Sequence, residues 1–214
     1  MKIAVINETS AADRNADILA ALEGFGHTVI NVGMKKNGEK PELTYIHTGL
    51  LAALMINTGA ADLVVGGCGT GQGFLNSAMQ YPGVFCGLIS SPLDAWLFAQ
   101  INGGNCISLP LNQGFGWAGD VNLRFIFERL FSVERGSGYP PHRKESQVYS
   151  RELLTEVNRK THRSMGEIIA ALPESVIRPA LDYSGVIELL RTQTIGDGTL
   201  RKFLMEWGIQ NNLA

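Results

Sequence analysis

From Met1 to about Phe131, short β-branched apolar runs alternate with longer amphipathic stretches, and this alternation limits the fold more than any other feature of the chain. A strand, a helix and a second parallel strand form the βαβ unit, and successive units build a parallel sheet with helices on both faces. Five strands are expected, at Ile3–Ile6, Thr28–Val32, Leu63–Gly66, Val84–Ile89 and Cys106–Leu109. Their nearly continuous apolar character suits strands covered on both sides. Helices are expected at about Asp13–Gly24, Tyr45–Thr58, Gln72–Gln80, Pro92–Ile101 and Ala118–Phe131. The fourth has a well-marked start, because Ser91 can cap with its hydroxyl while Pro92 occupies a position where a missing N–H costs nothing. The expected fold class is therefore α/β: a three-layer αβα sandwich around a Rossmann-like five-stranded parallel sheet.

The text changes at Gly136–Arg143, where Gly-Ser-Gly-Tyr-Pro-Pro-His-Arg is expected to exclude regular structure. Residues 1–143 are read as the α/β domain and 144–214 as a helical extension. Helical spacing runs from Glu145 to Leu172, Pro173 and Pro179 are expected to interrupt it, and shorter helical pieces are expected between Gly185 and Trp207. Such an extension can pack on the same domain, widen a dimer interface or close over a site. Periodicity alone does not choose.

Composition narrows the function classes. The net charge is −2 over 214 residues, and neither half of the chain is a basic arm. Without a basic stripe, little is available to neutralise a nucleic-acid backbone. Cys68, Cys86 and Cys106 lie at or near apolar strand-like segments with no CxxC pair and no histidine cluster, so neither a metal site nor a disulfide framework is expected. The apolar run at the N-terminus is too short for a signal peptide, and no stretch has membrane-spanning length. A cytoplasmic protein without cofactor, with no nucleic-acid or membrane partner, is expected.

In an open parallel sheet, ligands bind beyond the carboxyl ends of the strands. Five places qualify: Asn7–Ser10, Gly33–Thr44, Cys68–Gly73, Ser90–Asp94 and Pro110–Trp117. The richest is Gly67-Cys68-Gly69-Thr70-Gly71-Gln72-Gly73, where alternating glycines enclose a thiol and a hydroxyl. Glycines let backbone N–H groups approach a ligand, and donors that would hold an oxyanion also favour thiolate over thiol. A nucleotide-binding loop would require GxGxxG after the first strand, and that turn contains no glycine. Glu8 follows the first strand, where burial would suit its carboxyl to proton transfer between oxygens of a ligand. Tyr45 and His47 stand at the start of the second helix, with core, solvent and substrate-contact roles all open. His27 and His162 are expected to be structural.

Gly67-Cys68-Gly69-Thr70-Gly71, then Pro82-Gly83-Val84, Asp94-Ala95 and Gln100-Ile101-Asn102, resemble in order and spacing the B-type ribose-5-phosphate and galactose-6-phosphate isomerase family. The likeness covers roughly Met1 to Arg143. It implies a homodimer with sites between subunits and aldose–ketose isomerisation of a small sugar or sugar acid without metal. It implies Cys68 as the base acting between C1 and C2, Thr70 beside that centre, and the N–H groups of Gly69–Gly73 as an anion hole. By the same likeness Tyr45 and Asn102 fall at substrate-contact positions. With these the expected binding set comprises Asn7, His47, Gly67, Gly69, Gly71, Gln72, Gly73, Tyr139 and Arg143. The family's Asp-His after the first strand is replaced by Asn7-Glu8, and the histidine before its asparagine by Ile101. Of its paired arginines only Arg143 remains, with Tyr139 four residues earlier. A phosphate dianion prefers several cationic or forked donors, so these losses favour an unphosphorylated substrate. Gly114-Phe115-Gly116-Trp117, Phe127–Phe131, Gly138-Tyr139-Pro140 and the extension resemble the branch that includes the isomerases of 4-deoxy-L-threo-5-hexosulose uronate. The alternatives are a ribose-5-phosphate or galactose-6-phosphate isomerase, or a non-catalytic sugar-binding protein.

Overall fold

The computed structural model describes residues 1–193 and 195–211. Strands β1 (Lys2–Asn7), β2 (Thr28–Asn31), β3 (Leu63–Cys68), β4 (Cys86–Leu88) and β5 (Cys106–Pro110) are all parallel and lie in the order β2-β1-β3-β5-β4. Burial sorts them: β1, β3 and β5 are buried along nearly their whole length and lie inside, while the short, partly exposed β2 and β4 take the edges. The fourth strand is shorter than the expected Val84–Ile89. Ahead of it the Asn105 amide accepts Phe85 N–H and donates to Gly83 O, and Phe85 O is shared between Asn105 N–H and Cys106 N–H, so a regular ladder starts only at Cys86.

Helices α1 (Asn15–Leu22), α2 (Tyr45–Asn57), α3 (Gln72–Ala78), α4 (Pro92–Leu97) and α5 (Gly119–Phe131) fill the connections. Alternate strand residues face opposite ways. Ile3, Val5, Leu63 and Val65 pack with α1, α4 and α5, whereas Ala4, Ile6 and Val64 pack with α2 and α3. The helix ends differ from the spacing in three places. A 3₁₀ turn, Thr9–Arg14, precedes α1, because the Glu8 carboxylate takes the Ser10 N–H and holds the chain in a tight turn. The third helix stops at Ala78, and the fourth, capped by Ser91 as expected, passes into a π turn at Phe98–Asn102.

The extension contains α6 (Lys144–Thr161), α7 (Met165–Ala171), α8 (Glu174–Leu181), α9 (Val186–Arg191) and α10 (Gly198–Gln210). Gly136–Arg143 is not wholly irregular, since Pro141–Arg143 forms a 3₁₀ turn that runs into α6. Glu145–Leu172 is two helices, because Ser164 starts α7 with a capping box to Glu167. Pro179 does not interrupt α8 but lies inside it. A proline deprives the carbonyl four residues earlier of its donor, and here that carbonyl, Ser175 O, meets His47 Nε2 of α2 at 3.2 Å.

Helices α7 to α10 add Ile169, Leu181, Val186, Leu200 and Leu204 to the cluster that holds Leu50, Leu51 and Leu54 of α2. Consequently α2, buried at every position from Thr48 to Met55, lies between the sheet and the extension. A helix apolar all round is a buried one. In contrast α6 has no buried residue, and Tyr149, Leu153, Leu154 and Val157 stay exposed on it. Among the described residues no helix is long and apolar enough to cross a membrane.

Candidate active site

The chain leaves β1 for β2 on one side, while β3 lies on the other, so the switch point of the sheet falls between the carboxyl ends of β1 and β3. Asn7 pairs with Gly67, and the next residues, Glu8 and Cys68, emerge beside each other. Glu8 keeps an extended backbone, so it follows Ile6 toward the α2 face, the face to which Cys68 also belongs.

Hydrogen bonds knit three post-strand loops together here. Gly69 N–H donates to Ser10 Oγ at 2.9 Å, and the Ser10 hydroxyl donates to the Glu8 carboxylate, which also accepts Ser10 N–H at 3.0 Å. From the loop after β5, Asn112 Nδ2 donates to Ser10 O at 2.6 Å, while the N–H groups of Asn112 and Gln113 hold Gly69 O. Glu8 is only 4% exposed. Burial lifts its carboxyl above the usual range; the bonds from Ser10 pull the other way, and the Glu42 charge adds to the rise. Cys68 is a free thiol, 6% exposed, at the end of β3.

The glycines of this loop have separate duties. Gly71 caps α3 at φ 74°, a left-handed conformation, and a Cβ there would meet Leu88 at 2.6 Å. A Cβ on Gly73 would lie 2.9 Å from the ring of Tyr45, the first residue of α2, so the glycine lets that half-exposed ring rest on the loop. Thr70 and Gln72 are exposed and border a cavity of about 330 Å3, whose other walls include Ser90, Gln113 and Asn122. Thr70, Gln72 and Gly73 follow Cys68 in this loop and Tyr45 rests on it, whereas the cavity opens on the α5 side of the sheet, away from Cys68 and Glu8.

The expected row of free N–H donors is narrower than Gly69–Gly73. Gly69 N–H is taken by Ser10, Gly71 N–H by Cys68 O at 3.3 Å, and Gln72 N–H by Thr70 Oγ1 at 3.4 Å. Within the row, Thr70 and Gly73 keep N–H groups without a partner among the described residues. Three residues of the expected binding set are committed to the scaffold. Asn7 is fully buried and donates Nδ2 to Ala11 O, which holds the 3₁₀ turn. Gly67 is a ladder residue of β3, with Leu109 O against the position a Cβ would take. His47 accepts Thr44 N–H at Nδ1 (3.0 Å), so its remaining proton is on Nε2, facing Ser175 O.

Asn102, Tyr139 and Arg143 are not brought to this crevice. Asn102 ends the π turn that leads into the first residue of β5, whereas Cys68 pairs with Pro110 at the last. Within one chain they lie toward opposite ends of that strand. Residues 136–139 run along the π turn, with Gly138 N–H on Gln100 O, and Arg151 of α6 donates to Ile101 O. The Tyr139 ring packs edge-on against Trp96, its backbone held by the Gln147 amide, and Arg143 is exposed beside it. Sequence reasoning missed Ser10 and Asn112. Both belong to post-strand loops that the sequence marks, yet no spacing announces that they bond to each other's loops. Among the described residues no group of three or more His, Cys, Asp or Glu is placed to hold a metal ion.

A doubly wound sheet with a desolvated carboxyl beside a thiol at its switch point is the arrangement of an α/β enzyme. The sequence model of the ribose/galactose isomerase family matches residues 3–126, more than half of the chain, and the chain belongs to that family. It is a sugar isomerase. Among solved structures it is similar to a 4-deoxy-L-threo-5-hexosulose-uronate ketol-isomerase complexed with tartrate, at 37% identity and TM-score 0.90 over 96% of this chain and 98% of that one. A ribose-5-phosphate isomerase from Vibrio parahaemolyticus is similar at 39% identity and TM-score 0.89, over 98% of each chain. The type B ribose 5-phosphate isomerase of Trypanosoma brucei shares the fold at 20% identity and TM-score 0.60, and 97% of that chain covers 73% of this one. Comparison with curated proteins finds no match.

Proposed function

We propose that this isomerase interconverts an aldose and a ketose without metal, with Cys68 moving the carbon-bound proton and Glu8 the oxygen-bound one. We further propose that its substrate is an unphosphorylated uronate, 4-deoxy-L-threo-5-hexosulose uronate. The observation that carries the reading is the Gly69–Ser10–Glu8 chain, which seats a carboxyl of raised proton affinity next to the residue that ends β3. Cys68, as thiolate, takes the proton from the hydroxyl-bearing carbon beside the aldehyde, and the electron pair moves onto the carbonyl to give an enediolate. Glu8 accepts the proton of the adjoining hydroxyl and returns one to the former aldehyde oxygen. Cys68 then protonates the former carbonyl carbon, so the atoms balance and both groups regain their starting states. The free N–H groups of Thr70 and Gly73 are suited to the enediolate, a charge present only during reaction.

The phosphate-free reading is supported by the hydrogen-bonded cluster itself, which contains a buried carboxylate, with Glu42 close enough to raise its proton affinity, and no cationic member. A dianion beside the buried Glu8 carboxylate would be repelled, while the exposed Glu42 is paired with Lys40 at 3.5 Å. The relative solved with tartrate accommodates a phosphate-free hydroxy acid. The remaining residues are supplied by a second copy in this reading: Asn102, Tyr139 and Arg143 of one subunit complete the crevice of the other, and the exposed apolar stripe of α6 is covered in the dimer.

The test is turnover of the uronate and of ribose 5-phosphate, side by side, by metal-free wild type and by Cys68→Ser. The uronate is expected to turn over, with a loss of about 10²–10⁴-fold in the variant, the range for removing a positioned base. Preference for ribose 5-phosphate, the substrate named for the Vibrio parahaemolyticus relative, overturns the substrate. Undiminished activity of Cys68→Ser overturns the base.

A further inference from the structure

We propose that the C-terminal helices brace the reaction crevice, with Tyr183 as the positioning residue that fixes the loop of residues 33–44, ahead of the first turn of α2. The proposal rests on the reading that the Glu8–Cys68 crevice is the reacting site. Two polar contacts reach from the extension to its wall. In the first, His47 Nε2 donates to Ser175 O, the carbonyl that Pro179 leaves without a helical partner. His47 is two residues beyond Tyr45, whose ring rests on Gly73, so this bond fixes the turn that sets Tyr45 against the catalytic loop.

In the second, the hydroxyl of Tyr183, a residue 4% exposed between α8 and α9, donates to Glu39 Oε2 at 2.6 Å. Burial, then the hydrogen bond to Glu39 and its charge, push the Tyr183 phenol up, so it keeps its proton and remains a donor. Glu39 in turn accepts Lys35 N–H at 2.8 Å, which closes the loop on itself. Further along, Leu43 O accepts Thr9 N–H at 2.8 Å, next to Glu8, and Glu42 bears on Glu8 electrostatically. A loop of this length without regular structure is expected to move unless it is tied. Its other hydrogen bonds, among them Gly33 N–H on Val5 O, Met34 N–H on Asn7 O and Asn37 on Asp13, run to the α/β domain, while Met34 and Leu43 join the apolar cluster shared with the extension.

The experiment compares wild type with Tyr183→Phe, Glu39→Ala, the double variant and Glu39→Gln. It measures kcat and KM on the sugar that wild type turns over, the melting temperature, and the rate at which iodoacetamide alkylates Cys68, read by peptide mapping. Expected for Tyr183→Phe is a kcat about tenfold lower with KM changed much less, since misplacing a reacting wall costs rate more than binding. Cys68, now only 6% exposed, should be alkylated several-fold faster. The double variant should be no worse than either single one, and Glu39→Gln, which keeps an acceptor for the phenol, should retain wild-type kcat. A lower melting temperature with unchanged kcat and unchanged Cys68 alkylation overturns the proposal. So does an additive double variant. Should Tyr183→Phe fail to fold, the partly exposed Glu39→Ala carries the same readouts. Wild type inactive on every sugar tried overturns the isomerase reading above, and the alkylation rates still decide the brace.

Discussion

The two groups of residues that the sequence offers for substrate differ in how they are held. Glu8, Cys68 and the Gly69–Gly73 loop are joined across the ends of three strands, and both ionisable side chains are buried. Asn102, Tyr139 and Arg143 lie exposed along α4, the π turn and the start of α6, the Tyr139 ring against Trp96 and the Arg143 Nε on Ser146 Oγ at 3.3 Å. The first group is complete within one chain. The second is an exposed surface, and the unburied apolar residues of α6 are exposed as well. Chemistry needs the first kind of setting, since proton transfer depends on desolvation and fixed geometry. Recognition of a substrate's far end can use the second.

The contrast breaks most sharply at Glu8. Glu8→Gln is expected to lower kcat by about 10²–10⁴-fold while raising the melting temperature at neutral pH, because it removes a buried charge. The sign follows from the folded value lying above the ordinary 4.5. A raised group contributes stability that is fully present below its unfolded value and lost as pH rises through the folded value. The variant's advantage should therefore open as pH climbs from about 4.5 and vanish below it, measured by thermal melts across pH. An advantage constant with pH would mean that Glu8 is not desolvated.

A smaller but still large effect is expected from Leu153→Glu with Val157→Glu on α6. Both side chains are about half exposed, so the isolated chain should fold. If a second copy covers this stripe, sedimentation should give a monomer and activity should fall about a hundredfold, the scale at which displaced reacting groups act. A monomer with full activity would show that one chain holds the whole site. The smallest effect is expected at Arg143→Ala, a rise of about tenfold in KM with little change in kcat if Arg143 only anchors the substrate's anionic end. A change confined to melting temperature would return Arg143 to the scaffold.

Much of this was legible in the residues. The parallel sheet, the Ser91-Pro92 helix start and the loop around Cys68 follow from local pattern: strands read from apolar runs, turns from glycine and proline. The ends of elements were less legible where a side chain decided them. Asn105 shortened β4 by bonding to Phe85 and Gly83, and Glu8 tightened the start of the first helix by capping Ser10. Pro179 reads as a helix breaker, yet it sits inside α8 because a histidine more than a hundred positions earlier takes the carbonyl it leaves unpaired.

The site divides in the same way. Sequence by itself determined the chemistry available, a thiol, a carboxyl and a glycine-rich turn after parallel strands, because residue type and local periodicity are written in order along the chain. Only the tertiary structure decided which donors stay free, that Ser10 and Asn112 join the cluster, that Asn7 and His47 belong to the scaffold, and that the extension packs on α2. Hydrogen-bond partners and burial are properties of surfaces brought together from distant positions, and no local pattern specifies them.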